Sequence, residues 1–449
     1  MRSYLKNNKI LFVAFYSSEL RKVWGSILFF CIVLLNTLNA QERDFGTYYP
    51  FDFEFTLEEG IPLQAIVDRA KSGDTILLEG IYLGPVIITT DGIVIDGQGK
   101  SEVNGLGKES VITVEAKNVV VKNMIIANSG GSHDKIDSGV KITGSHVLVE
   151  NCRIKECLFG IDIFKSDTNY ISHCEITSLS RREKALKGDA IRLWWAKGNT
   201  VHGNYWHEVR DMVVWYSLGN LFEENLGIGN RYSIHFMYAH NNRIRANEFY
   251  ENSVGVFLMY SEKTIMTDNL IVGSMGISGM CLGMKETSSN QILNNRFIYS
   301  AEGIHVDVSP FVPEQINTIQ GNEIAFCGSG MFFHTNQLGN VITKNHFHNN
   351  LSNVIAQGKT ANGNIWKNNY FDDYQGFDRD GDNVGDTPYE LYSYVEHLWD
   401  FNKGIKFFYG SPLLVILDFL ERLAPFSEPK FVLRDKAPKY LWENKASVN

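Results

Sequence analysis

The sequence predicts an all-β fold: a right-handed parallel β-helix with an N-terminal capping helix and an apolar helical tail at its C-terminus. Three observations carry that expectation. An apolar–x–x–Asn–x–apolar motif recurs along the chain, its copies keep a floor of about 22 residues between them, and glycine far outnumbers proline. The chain has 449 residues, is 44% hydrophobic, and contains 39 Gly but only 10 Pro. That is too apolar for disorder and too glycine-rich for a helical bundle. A formal charge of −9 argues against nucleic acid as a partner, because phosphate binding needs a basic surface. The chain also carries 28 Phe, 20 Tyr and 8 Trp beside 10 Met and 12 His, groups it must either bury or display.

Residues 1–40 read as a secretory signal peptide: Arg21 and Lys22 precede an apolar run over 23–38 that closes on Ala40 before Gln41. Residues 41–90 read as the N-terminal cap, in which Leu63, Ile66, Val67 and Ala70 share one helical face. A cap is needed because the end of a β-helix is an open strand edge. Cys152, Cys157, Cys174, Cys281 and Cys327 follow the leader; an odd, scattered set is no disulfide framework, although Cys152 and Cys174 could pair across neighbouring turns.

Residues 91–375 read as the β-helix. Its marker asparagine slot runs through Asn123, Asn151, His173, Asn204, Asn225, Asn247, Asn269, Asn295, Asn322, Asn345 and Asn368, in steps of 21 to 31 residues. Short β-rich segments punctuated by Gly and Asn favour stacked coils, one per repeat, about 4.8 Å apart. Asn tolerates the left-handed conformation at corners, and its amide can bond the amide one coil above. The asparagine column is therefore structural and carries no chemistry.

Aligning coils on that slot sets Ile191–Trp195, Met212–Tyr216, Ile234–Tyr238 and Val256–Tyr260 in register. Side chains alternate across a strand, so with Ile234, Phe236 and Tyr238 facing the core, His235 and Met237 face out. Met237 then shares a slot with Trp194, Trp215 and Met259, and the next coil adds Met284 and Cys281 nearby. Thioether and imidazole displayed together suit Cu(I), bound transiently; the bland alternative is an apolar stripe under a loop or partner.

Residues 376–449 hold two further features. Asp378, Asp380, Asp382 and Asp386 alternate around glycine, as in a loop that holds a structural calcium ion, or equally in a solvated turn. Ser411 and Pro412 then open a short helix whose Leu413, Val415, Ile416, Leu417, Phe419, Leu420 and Leu423 make it apolar nearly all round. It is too short to span a bilayer and must be buried, in the last coil or in a membrane partner. Trp399 and the aromatics of 407–409 favour the partner.

Catalysis is the competing class, since a secreted polysaccharide lyase or hydrolase of β-helix type would need paired carboxylates or a base beside cations. Asp189, Arg192 and Asp211 lie beside Trp194 and Trp215, like a sugar platform, but no compact Asp-pair motif is present.

Several motifs together resemble one family. They are Ile95-Asp96-Gly97-Gln98-Gly99, Gly188 to Trp194, Val214-Trp215-Tyr216-Ser217, His235-Phe236-Met237-Tyr238 and Leu258-Met259-Tyr260-Ser261, followed by Gly376 to Asp382, Gly385 to Tyr389 and the tail from Gly410 to Pro429. In this order they are similar to the NosD family of nitrous oxide reductase maturation proteins. The resemblance implies a periplasmic β-helix, held at the inner membrane through its partner, that docks on the membrane subunit of an ABC transporter. It implies help in delivering copper from a copper chaperone to nitrous oxide reductase, without enzymatic turnover of its own. On that resemblance the tail helix is the docking element and the His/Met wall is where copper or its carrier engages.

Overall fold

A computed structural model describes residues 60–336, 338–358, 360–393, 405, 408, 411–424 and 428–441. The signal peptide, residues 41–59 of the cap, Trp399, Lys406, Phe407 and Tyr409 lie outside the described residues. The chain is a parallel β-solenoid of about 13 turns. Each central coil gives one strand to a twelve-stranded wall and two short strands to a second, 25-stranded sheet. The wall strands, in chain order, are β1 (Val86–Ile88), β2 (Ile112–Val114), β3 (Ser138–Ile142), β4 (Phe159–Phe164), β5 (Ile191–Trp194) and β6 (Asp211–Trp215). They continue as β7 (Tyr232–Met237), β8 (Val254–Met259), β9 (Met280–Lys285), β10 (Glu302–Asp307), β11 (Ser329–Phe333) and β12 (Ser352–Ala356).

Period-two alternation turns one face of each strand into the solenoid, where Ile234, Phe236, Val256 and Leu258 are fully buried. Burying such side chains stabilises the coil stack by roughly 1.5–3 kcal/mol each. The asparagine ladder supplies the polar half of the argument. From Asn204 each side-chain amide donates to the next coil's amide oxygen through Asn225, Asn247, Asn269, Asn295, Asn322, Asn345 and Asn369, at 2.8–3.1 Å. The marker slot is corrected by one residue at the ends of the column. Cys174 lies beside Asn204, and Cys152 beside Cys174, so Asn123, Asn151 and His173 occupy the left-handed corner (φ 57°, 50° and 51°) outside the Asn204 ladder, where Asn151 still donates to the Asn123 amide oxygen at 2.9 Å. Asn368 is likewise a corner residue (φ 59°), and Asn369 is the rung.

That displacement also explains the thiols. Cys152 and Cys174 stand in the ladder slot of adjacent coils as buried free cysteines and donate to carbonyl oxygens, so the expected pairing is not formed. Burial pushes the Cys152 thiol up, so it does not offer a thiolate.

The N-terminal cap contains the short helix α1 (Gln64–Val67), with Leu63 and Val67 buried and Ile66 and Ala70 packed against the core. The coils begin earlier than residue 91, because Ile61 and Pro62 already pair with Tyr82 and Leu83. The far end is closed by an antiparallel pair, β13 (Tyr389–Ser393) and β14 (Lys430–Asp435), which buries Val432 and Leu433. Helix α2 (Pro412–Leu423) lies between them in sequence and starts from Ser411, whose side chain accepts from the Leu414 amide.

Candidate functional site

The wall's outward slots are fixed by strand register. Trp194 pairs with Trp215, Trp215 with Met237, and Met237 with Met259, so two thioethers are stacked one coil apart beside two indoles. His235 pairs with Val213 and Phe257 on the same outward face. Its ring lies flat on Tyr232 (4.9 Å, 19°), against the edge of Trp215 (5.8 Å) and near Phe257 (6.0 Å). Burial by these rings pulls the His235 pKa down to about 4, so the imidazole is neutral at neutral pH. Both of its ring nitrogens are buried without a hydrogen-bond partner, as is Trp215 Nε1. Buried polar atoms are rarely left unpaired, and a neutral imidazole beside thioethers is a donor set for a soft cation.

Two residues expected on this wall face inward instead. Met259 pairs with Lys285, and Leu258 with Met284, so alternation turns Met284 into the core, where it is fully buried. Cys281 is also fully buried, its thiol donating to the Ile271 carbonyl at 3.6 Å, and burial pushes its pKa well up. Neither reaches a ligand on the outer face. On the wall strand of that coil the outward thioether is Met280, half-buried, in the slot of Tyr232 and Val254. Straight alternation from Met284 would turn Met280 inward as well, so its outward place was not legible in the sequence.

Met280 also shows why Gly283 is needed. A Cβ there would stand 2.2 Å from the Phe257 ring and 2.8 Å from Met280 Sδ, so these two side chains fill the space above the glycine. The same three-residue reach recurs in neighbouring coils: Tyr232 covers His235, and Glu302 bonds His305 at 2.6 Å.

Tyr238 departs from the expected inward position and is 41% exposed. Strand β7 ends at Met237 and the chain turns at Tyr238 in the left-handed region (φ 50°), which resets the alternation. Trp195, Tyr216 and Tyr260 turn the same way, and the four rings stack at centroid distances of 4.8, 5.4 and 4.8 Å.

Both carboxylates of the sugar-platform reading, Asp189 and Asp211, are held by guanidinium groups, and its Arg192 is engaged by Asp162, a residue outside that reading. Asp162 meets Arg192 at 2.7 Å, Asp189 meets Arg210 at 2.9 Å, and Asp211 takes the Arg231 Nε at 2.9 Å. Arg192 also lies 4.3 Å over the Trp194 ring. Burial pushes Asp189 up to about 7 against the opposing pull of Arg210.

In the acidic loop, one carboxylate oxygen each from Asp378, Asp380 and Asp382 converge within 4.8 Å of one another. Asp386 stands outside that group and accepts from the Arg379 amide at 2.8 Å, pinning the loop. On α2, Leu414 is the one buried side chain among the described residues. Leu413, Val415, Ile416, Phe419, Leu420 and Leu423 are exposed and Leu417 is partly so, so of the two expected places of burial the last coil does not cover these residues. Among the described residues no helix is long and apolar enough to cross a membrane.

Comparison with known proteins bears out the family resemblance drawn from the motifs. Residues 178–376, which contain the whole His/Met wall, match the family described as periplasmic copper-binding protein (NosD). A Pseudomonas aeruginosa relative, "Probable ABC transporter binding protein NosD", is 25% identical, the match covering 82% of this chain and 87% of that protein. Among solved structures the chain is similar to the A-modules of Azotobacter vinelandii mannuronan C-5 epimerases AlgE6 and AlgE4. Their TM-scores are 0.53 and 0.51 at 14% identity, over 69% and 70% of this chain and 95% and 96% of theirs. At that identity the likeness concerns the β-helix fold alone.

Proposed function

We propose that this chain is a periplasmic accessory protein that helps deliver copper to nitrous oxide reductase, working with an ABC transporter. The observation that carries the reading is the outward stack of Met237 on Met259 beside His235, whose two ring nitrogens lack partners, inside the segment that matches the copper-binding family. Copper is the cargo here. Thioethers and a neutral imidazole hold Cu(I) without demanding a closed coordination sphere, which suits capture and release. Tyr232, Trp215 and Phe257 shield the imidazole from water, and Met280 is the additional thioether on this face.

The exposed apolar residues of α2, from Leu413 to Leu423, serve as the docking element for the membrane subunit of the transporter. ATP hydrolysis belongs to that transporter. A copper chaperone supplies the wall, and the reductase receives from it. The acidic loop of Asp378, Asp380 and Asp382 holds a structural calcium ion on this reading.

The test replaces Met237 and Met259 by Leu together, with Met284→Leu as a buried control. The double variant is expected to export and fold normally, to lose Cu(I) affinity at least tenfold in competition with a chelator, and to lower the copper content of the reductase. Unchanged copper content in the double variant would remove the site.

A further inference from the structure

Further along the same wall, a pair of imidazoles has the opposite environment to His235. His305 lies in the His235 column, after Phe257 and Gly283, and the next coil brings His334 to it at 6.1 Å between ring centroids, with 28° between planes. Phe332 stacks on His305 at 5.3 Å and fixes its ring plane.

Each ring has one nitrogen committed to an oxygen. His305 Nδ1 meets Glu302 Oε2 at 2.6 Å, and His334 Nδ1 meets Gln357 Oε1 at 2.9 Å. Both oxygens accept, so each Nδ1 carries the proton and each Nε2 keeps its lone pair. Among the described residues no hydrogen bond takes either Nε2. A histidine whose Nδ1–H is held by a carboxylate or carbonyl oxygen is the arrangement that orients imidazole toward a metal and raises its basicity. His305 is only 19% exposed, while His334 and Gln357 are exposed, so the site is open on one side.

We propose that His305 and His334 form a second metal site, selective for Cu(II) and distinct from the thioether wall. Two imidazole nitrogens are borderline donors, and among divalent first-row ions such a set binds Cu(II) most tightly. Bonds of about 2.0 Å to both Nε2 atoms require the ring tips to tilt toward each other, a movement open to His334 on the solvent side. Among the described residues no third His, Cys or carboxylate joins the two rings in a compact group. The remaining positions are left to water or to an incoming ligand. Glu302 and Gln357 act as positioning residues.

The experiment adds less than one equivalent of Cu(II) to the full chain and records its electron paramagnetic resonance spectrum. Nitrogen hyperfine splitting is expected, and it should vanish in the His305→Ala/His334→Ala double variant. Glu302→Ala, which removes the accepting oxygen, should weaken Cu(II) binding about 10–100-fold by releasing the His305 ring. Near-ultraviolet circular dichroism checks that each variant is folded, and His305→Gln serves if the alanine variant is not. A spectrum unchanged by the double substitution would overturn the proposal. Met237→Leu/Met259→Leu should leave this spectrum intact, so failure here and failure of the Cu(I) wall are read separately.

Discussion

Asn369 donates its side-chain amide to Asp435 Oδ2 at 2.9 Å, and its backbone N–H to the same oxygen at 3.0 Å. Asp435 thus takes the place that the next coil's asparagine would fill. It ends the polar ladder 66 residues beyond its last rung in sequence, with no further coil needed. The carboxylate is fully buried and its other oxygen accepts from the Ala437 amide at 3.0 Å. Asp435→Ala leaves two buried donors unpaired and should cost about 1–3 kcal/mol in chemical denaturation. Asp435→Asn keeps an acceptor and should cost less. Equal losses in the two variants would show that packing rather than the ladder holds this end.

Helix α2 should be separable from the solenoid. Replacing Val415, Ile416 and Phe419 by Ser removes exposed apolar surface and leaves the buried Leu414 in place. The thermal midpoint is expected to stay within a few degrees, while the protein leaves the membrane fraction of cells that express the transporter. Retention at the membrane would exclude α2 as the docking element.

The acidic loop makes a distinct prediction. Calcium should raise the thermal midpoint of the wild type, and Asp380→Asn/Asp382→Asn should abolish that increment, because these two carboxylates and Asp378 converge. Asp386→Asn should leave calcium dependence largely intact, since Asp386 lies outside the group and braces Arg379. A midpoint insensitive to calcium and to a chelator would reduce the loop to a turn.

Acid stability should carry the mark of Glu323 on the second sheet. Burial alone would raise its pKa, but His348 at 3.2 Å and Arg296 at 2.7 Å hold it down to about 2, against an ordinary value of 4.5. The unfolded chain therefore binds a proton that the folded chain refuses between those values. The stabilisation is fully present above about 4.5 and is lost as the pH falls toward 2. Glu323→Gln should lower stability at neutral pH and flatten this part of the pH profile. A wild-type profile and a variant profile of equal slope would refute the assignment.

Much of the wall was legible before any coordinates. A repeat near 22 residues sets coils one above another, and counting from each asparagine was enough to stack Met237 on Met259 and Trp215 on Trp194. Met284 and Cys281 escaped that count because their coil carries an insertion ahead of the strand, so the nearest methionine in sequence was the wrong one. Tyr238 escaped it because alternation holds only while the strand continues. The strand ends at Met237, and the Tyr238 ring then stacks between those of Tyr216 and Tyr260 in the neighbouring coils.

The sequence by itself determined the solenoid, the direction of its strands and the coils that carry methionine, because period and alternation are local and repeat. Only the tertiary structure decided where that alternation breaks, that Met280 rather than Met284 joins the wall, and that Asp435 returns to close the ladder. It also decided that His235 is left without partners while Glu302 holds His305. These outcomes turn on contacts between coils. There the neighbour one turn away, not the neighbour in sequence, supplies the hydrogen bond or the steric limit.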